Sequence, residues 1–122
     1  MSLPREERLR ERGKFSLLFK KGKSVSDRFQ VLYFYPWEGK VRKAGFSAGK
    51  KLGKAVLRNR IRRKMKEAYR SIYPCVEKGY LLLFIGRKGI LDADYQEIEK
   101  SQKKLLRRAG IWKGEEKNER SF

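Results

Sequence analysis

The 122-residue sequence has no histidine, one cysteine and three prolines. Without histidine the commonest general base is missing, and Cys75 has no imidazole to activate it as a nucleophile. One cysteine excludes an intramolecular disulfide and a cysteine-rich metal site, a usage that fits a reducing cytoplasm. Long apolar runs are absent, which argues against a membrane span, and the N-terminus MSLPREERLRERGKF is charged from Arg5 onward, without the apolar segment of a secretory signal. Acids are scarce, and the candidate acidic cluster is Asp92, Asp94, Glu97 and Glu99. Asp94 and Glu97 have capping-box spacing, so helix capping accounts for the group and no direct metal ligand is assigned in the protein. Gly45, Gly49 and Gly53 do not match a phosphate-loop spacing. Together these absences leave no catalytic residues in the protein and no small-molecule site.

What the sequence has is positive charge. There are 33 Lys and Arg against 14 Asp and Glu, a net charge of +19 with a pI near 10.4. Such an excess repels itself unless a polyanion neutralises it, and nucleic acid is the expected partner. A membrane surface fits less well, because the basic residues are spread over several elements. They concentrate in KKLGKAVLRNRIRRKMKEAYR, residues 50 to 70, which hold ten Lys and Arg and one acid, Glu67. On a helix, Leu57, Ile61, Met65, Ala68 and Ile72 fall within about 80° of one another and form a stripe for a core. Asn59, Arg62, Arg63, Lys66 and Arg70 fall on the opposite side, an array of donors suited to phosphates, and Arg60 lies outside that arc. The helix N-terminus, ringed by Lys50, Lys51 and Lys54, offers backbone N–H groups to an anion.

The rest of the chain reads as one small domain, residues 1–110, with a flexible charged tail at 111–122. Residues 1 to 12 read as a mobile charged arm. Phe15, Leu18 and Phe19 mark a short amphipathic helix over 14–21, ending at Gly22. RFQVLYFYP, residues 28 to 36, alternates as a strand with Phe29, Val31, Tyr33 and Tyr35 on one face and Gln30, Leu32 and Phe34 on the other. After the turn at Trp37 to Lys40, residues 43 to 49 read as a second strand antiparallel to it. The basic helix then runs from about Lys54 to before Pro74. YLLLFIG, residues 80 to 86, is apolar throughout and belongs in the middle of a sheet. A last helix follows Asp94, with Tyr95, Ile98, Leu105 and Leu106 buried and Gln102 interrupting the stripe.

At FSAGKKLGKAVLRNRIRRKMKEAYR the sequence resembles the protein subunit of bacterial ribonuclease P, whose signature is an Arg-Asn-Arg centre on a basic helix. Here that centre is Arg58, Asn59 and Arg60, flanked by Lys50, Lys51, Gly53, Ala55, Arg62, Arg63 and Arg70. FSLLFKKGKSV upstream, Tyr33, and Arg87 with Lys88 also fit, so the resemblance covers residues 8 to 108. Gly13 and Lys14 stand where the family often has polar capping residues, and Gln102 where an apolar residue is common. The resemblance implies an α/β (α+β) two-layer sandwich of αβββαβα order, with a mixed sheet, a short extra strand near Lys23 to Ser26 and a left-handed βαβ crossover. It further implies that catalysis belongs to a large RNA with bound Mg²⁺. The basic helix, through Arg58, Asn59, Arg60, Arg62, Arg63 and Arg70, is then implied to contact that RNA; Lys50 and Lys51, near the leader cleft, and Lys54 and Lys66 complete the expected RNA-binding set. Phe15, Phe19 and Tyr33 are implied to line a cleft for the 5′ leader of precursor tRNA. Composition by itself favours a structural RNA-binding protein of ribosomal type, against which the Arg-Asn-Arg spacing and the paired-Phe helix tell, and a metal nuclease built on Asp92 and Asp94 is the third reading.

Overall fold

The computed structural model describes residues 3–4, 7–9, 12–37, 40 and 42–114. Three helices and four strands follow one another as α1 (Arg12–Lys21), β1 (Lys23–Ser26), β2 (Gln30–Pro36), β3 (Lys43–Ser47), α2 (Ala55–Ile72), β4 (Tyr80–Gly86) and α3 (Tyr95–Ala109). This is the αβββαβα order, with a short 3-10 turn at Lys50–Leu52 ahead of α2 and another at Lys88–Asp92 ahead of α3.

The strands form one mixed sheet in the order β1-β2-β4-β3. β1 and β4 flank β2 in antiparallel register, with Val25 opposite Leu32 and Tyr33 opposite Leu83. The expected antiparallel pairing of residues 43 to 49 with β2 does not occur: β3 pairs with β4 instead, in parallel, with Gly45 opposite Leu83. The cause is β4 itself. Leu81 through Phe84 are apolar on both faces and essentially inaccessible, so this strand needs a neighbour on each edge and takes the place between β2 and β3. Joining β3 to β4 in parallel requires a long crossover, and α2 supplies it.

Alternation along the strands divides the apolar residues between two faces. Leu32, Phe34, Ala44, Phe46, Leu82 and Phe84 face α2 and α3 in the larger core. Tyr33, Tyr35, Leu81, Leu83 and Ile85 face α1, where Leu18 is fully buried. Phe29, expected beside Val31 and Tyr33, packs in the larger core instead. The Asp27 carboxylate accepts from the backbone N–H groups of Phe29 and Gln30, at 2.9 and 3.0 Å. The strand begins only after that turn, so the alternation does not extend back to Phe29.

Within α2 the predicted stripe is the buried one: Ile61, Met65, Ala68 and Ile72 are inaccessible, and Leu57 packs half-buried against the same cluster. Tyr69 joins them, one turn beyond Met65. α3 carries the predicted capping box. Asp94 accepts from the Glu97 N–H at 2.9 Å, and Glu97 accepts from the Asp94 N–H at 3.0 Å. Gln102, which interrupts the apolar stripe, is wholly buried and donates to the Met65 carbonyl at 3.0 Å and to Gln30 Oε1 at 3.4 Å. Gln30 donates in turn to Ser101 Oγ at 2.8 Å. A polar bridge therefore ties β2, α2 and α3 at the centre of the core, and a lone buried amide would be costly there.

The described residues near both ends of the chain pack against the domain, while residues 1–2, 5–6 and 10–11 of the expected arm lie outside the described residues. Residues 7–9 of the expected mobile arm dock on the free edge of β3: Arg8 bridges Ala44 in parallel, and the Leu9 N–H donates to the Ala44 carbonyl at 2.9 Å. Leu3 and Leu9 are buried, and Glu7 pairs with Arg42 at 3.1 Å with both side chains less than a tenth exposed. Apolar anchors and a neutralised edge arginine outweigh the arm's charge. At the other end, residues 111–114 of the expected flexible tail fold back on Val76, which Trp112 bridges in antiparallel fashion. Ile111 is fully buried, and Glu77 N–H donates to its carbonyl at 2.9 Å. The rest of that tail, 115–122, lies outside the described residues.

Candidate nucleic-acid interface

The basic helix is positioned by what precedes it. Gly53 closes the Lys50–Leu52 turn at φ 132°, where a Cβ would be strained and would also meet Leu57 Cδ2 at 2.9 Å. This sharp reversal aims the first turn of α2 outward. No side chain caps that turn, and it contains no acid. The contrast with α3 is instructive, because there Asp94 and Glu97 form a capping box that pairs the Glu97 and Asp94 N–H groups. The N-terminus of α2 thus keeps unsatisfied donors and its positive dipole end, with Lys50, Lys51 and Lys54 all exposed around it.

Along the helix, Asn59, Arg60, Arg63, Lys64 and Lys66 are exposed, while Arg58, Arg62 and Arg70 are half-buried. Arg62 donates through Nη2 to Asn59 Oδ1. Arg60 points away from this group, toward the start of α3, where it lines a depression with Arg63, Lys64, Glu67 and Tyr95.

The three aromatic candidates lie on the α1 side of the sheet. Phe19, 54% exposed, sits edge-on to Tyr33 with ring centroids 5.0 Å apart. Phe15 belongs to the same cluster but reaches toward β3, where the missing Cβ of Gly45 makes room: a Cβ there would lie 3.3 Å from Phe15 Cε1. Phe15 therefore lines a groove of about 600 Å³ that wraps the β3 edge. Its floor is Leu3, Leu9, Ala44, Gly45 and Phe46, and its rim is Arg8, Arg63, Lys66, Glu67 and Arg70. The groove joins the aromatic side of the sheet to the basic face of α2.

Arg8, Leu3 and Leu9 were not among the residues expected here, although Leu3 and Leu9 are the arm's apolar residues beyond Met1. Behind the groove, Arg42 Nη1 donates to the Val76 carbonyl at 3.2 Å and the guanidinium lies over the Tyr73 ring at 5.1 Å. Burial pushes the neighbouring Tyr69 hydroxyl well above its ordinary pKa, opposed by Arg42 and reinforced by Glu7. The acidic group resolves into separate tasks. Asp94 and Glu97 form the cap, while Glu99 accepts from Ser71 at 2.6 Å and pairs with Lys103 at 3.7 Å. Among the described residues no group of three or more Cys, Asp or Glu side chains is placed to hold a metal ion. No helix among them is long and apolar enough to cross a membrane.

Comparison with known proteins places this arrangement. A family model described as Ribonuclease P matches residues 3–110. The ribonuclease P protein component of Clostridium kluyveri is 44% identical over 108 residues, covering 87% of this chain and 96% of the relative. That of Clostridioides difficile is 38% identical over 112 residues, covering 91% and 98%. Among solved structures, the RNase P protein of Staphylococcus aureus superposes with a TM-score of 0.78 at 30% identity, covering 87% of this chain and 97% of the other. The RNase P protein of Thermotoga maritima gives 0.76 at 31%, covering 84% and 96%.

Proposed function

The chain belongs to the ribonuclease P protein family, the protein component of an endoribonuclease ribonucleoprotein, and from that premise we propose how its surfaces divide the work. Partnership with the ribonuclease P RNA follows from the family. The basic helix α2 grips that RNA: its open N-terminus with Lys50, Lys51 and Lys54 takes phosphates, and Arg58, Asn59, Arg60, Arg62, Arg63, Lys66 and Arg70 continue the contact. On the other side of the sheet Phe19 and Tyr33, with Phe15 at the groove, receive unpaired bases of the 5′ leader of precursor tRNA. The protein assists the Mg²⁺-dependent removal of that leader in the cytoplasm, and the RNA holds the Mg²⁺ and the reacting groups.

The observation that carries this reading is the uncapped, acid-free first turn of α2 beneath a continuous basic face, in a chain without histidine. Purified protein is expected to leave precursor tRNA intact by itself, and to restore its cleavage by the host's catalytic RNA at low Mg²⁺. Failure to do so with a correctly folded RNA overturns the proposal. Cleavage by protein alone, abolished by Asp94→Ala, would support the metal-nuclease reading instead.

A further inference from the structure

The depression between α2 and α3 is not accounted for by a helix that simply lies along phosphates. It has a volume of about 300 Å³ and is lined by Arg60, Arg63, Lys64, Glu67 and Tyr95. Tyr95, the first residue of α3, is 39% exposed. An exposed tyrosine is ordinarily free to change rotamer, but this one is held by its hydroxyl. Its oxygen lies 3.1 Å from Ser71 Oγ and 3.3 Å from the Glu67 carbonyl. Ser71 Oγ is held in turn, 2.6 Å from Glu99 Oε2 and 2.7 Å from the Ala68 carbonyl, and Glu99 pairs with Lys103. The chain Tyr95–Ser71–Glu99–Lys103 fixes the ring at the seam of the two helices before any ligand arrives.

We infer that Tyr95 is a stacking platform for one unpaired nucleotide of the catalytic RNA, whose phosphate is held by Arg60 and Lys64. A pre-ordered aromatic ring beside cations is the combination that single-stranded nucleic acid selects, since stacking takes the base and the cations take the backbone. Among the described residues Glu67 is the only acid lining the depression; its carboxylate accepts from N–H groups on a base edge and directs the phosphate to the Arg60 side. At the N-terminus of α3, Asp94 and Glu97 place two carboxylates in the cap, which opposes an anion there. The site also gives Arg60 a task distinct from that of Arg62 and Asn59. It lies in the α2–α3 layer, on the opposite side of the sheet from Phe19 and Tyr33, and this position favours the catalytic RNA over the substrate leader.

The inference rests on the proposed function, and the test separates the two. Full-length protein is titrated with the host's catalytic RNA, and separately the complex is titrated with precursor and mature tRNA, over a salt series. Tyr95→Leu is expected to weaken binding of the catalytic RNA by roughly 5- to 150-fold with the salt slope unchanged, because stacking releases no counterions. Tyr95→Phe, which keeps the ring and loses only the hydroxyl contacts that pre-order it, is expected to lose clearly less affinity than Tyr95→Leu. Arg60→Ala is expected to lower the salt slope by about one unit. A tryptophan at this position (Tyr95→Trp) is expected to add an emission that bound RNA quenches, which reads stacking without relying on affinity. Native affinity in Tyr95→Leu overturns the inference, as does equal loss in Tyr95→Phe, which would make the hydroxyl network the cause. A loss confined to precursor over mature tRNA would move the site to the substrate and also overturn it. Failure of the unaltered protein to bind the catalytic RNA overturns the proposed function itself.

Discussion

Phe19 and Tyr69 show opposite uses of an aromatic side chain. Phe19 is 54% exposed and meets Tyr33 edge-on, so truncating it removes little packing while deleting half of an aromatic pair offered to solvent. Phe19→Ala is expected to leave the thermal midpoint nearly unchanged and to weaken precursor tRNA by about 1–3 kcal/mol, the scale of one stacked base. Mature tRNA, which lacks the leader, should bind as before, and equal losses for both would remove the leader cleft. Tyr69 is fully buried among Phe46, Phe84 and Tyr73, and its hydroxyl has no hydrogen-bond partner among the described residues. Burial raises its pKa above the ordinary value of 10.0. The folded protein therefore keeps a proton that the unfolded chain releases, and the stability so contributed is full below about pH 10 and falls as pH rises beyond it. Tyr69→Phe is expected to be within about 1 kcal/mol of neutral at pH 7 and to lose less stability at alkaline pH, measured by denaturant melts on either side of pH 10.

Among the elements, α2 was the most legible in the sequence, because a 3.6-residue apolar period and a run of basic residues coincide over 18 residues. Its buried stripe followed from that period, and Tyr69 would have followed too by counting one turn on from Met65. The N-terminal arm was not legible. Seven Arg or Glu residues in its first twelve outweigh two leucines in any composition, and the feature that orders them, the unpaired edge of β3 with Arg42 beside it, is created only by the fold. The buried pair of Glu7 and Arg42 makes the arm's docking testable. Removing one partner of a buried pair leaves the other charge uncompensated, at a cost of about 3–5 kcal/mol. Glu7→Ala is expected to lower the unfolding free energy by that order, read as a fall in the thermal midpoint. Combining it with Arg42→Met, which removes the stranded charge, should recover much of the loss, and a double variant no better than the single would show that the pair does not hold the arm.

For the whole molecule, topology was the least legible level. The strands 28–36 and 80–86 were readable from alternation and from a continuous apolar run, but their neighbours were not. A six-residue connection after Pro36 reads as a hairpin, and only the need of β4 for two covered edges places β3 beyond it. The consequence is functional. With β3 at the edge, the groove at Gly45 opens toward Arg63, Lys66 and Arg70, so aromatic and basic surfaces become continuous around one side of the sheet. The net charge of +19 then acts as a directed field, and salt should reveal how much of it touches phosphate. The logarithm of affinity for the catalytic RNA is expected to fall linearly with the logarithm of salt, with a slope of about −0.7 to −0.9 per phosphate neutralised. Arg63→Ala should reduce that slope by about one unit, since Arg63 is exposed and lines both depressions. Lys20→Ala, in the last turn of α1 and outside both, should leave the slope unchanged. If the two variants shift it equally, the field is diffuse, and the assignment of α2 as the surface that meets the RNA fails.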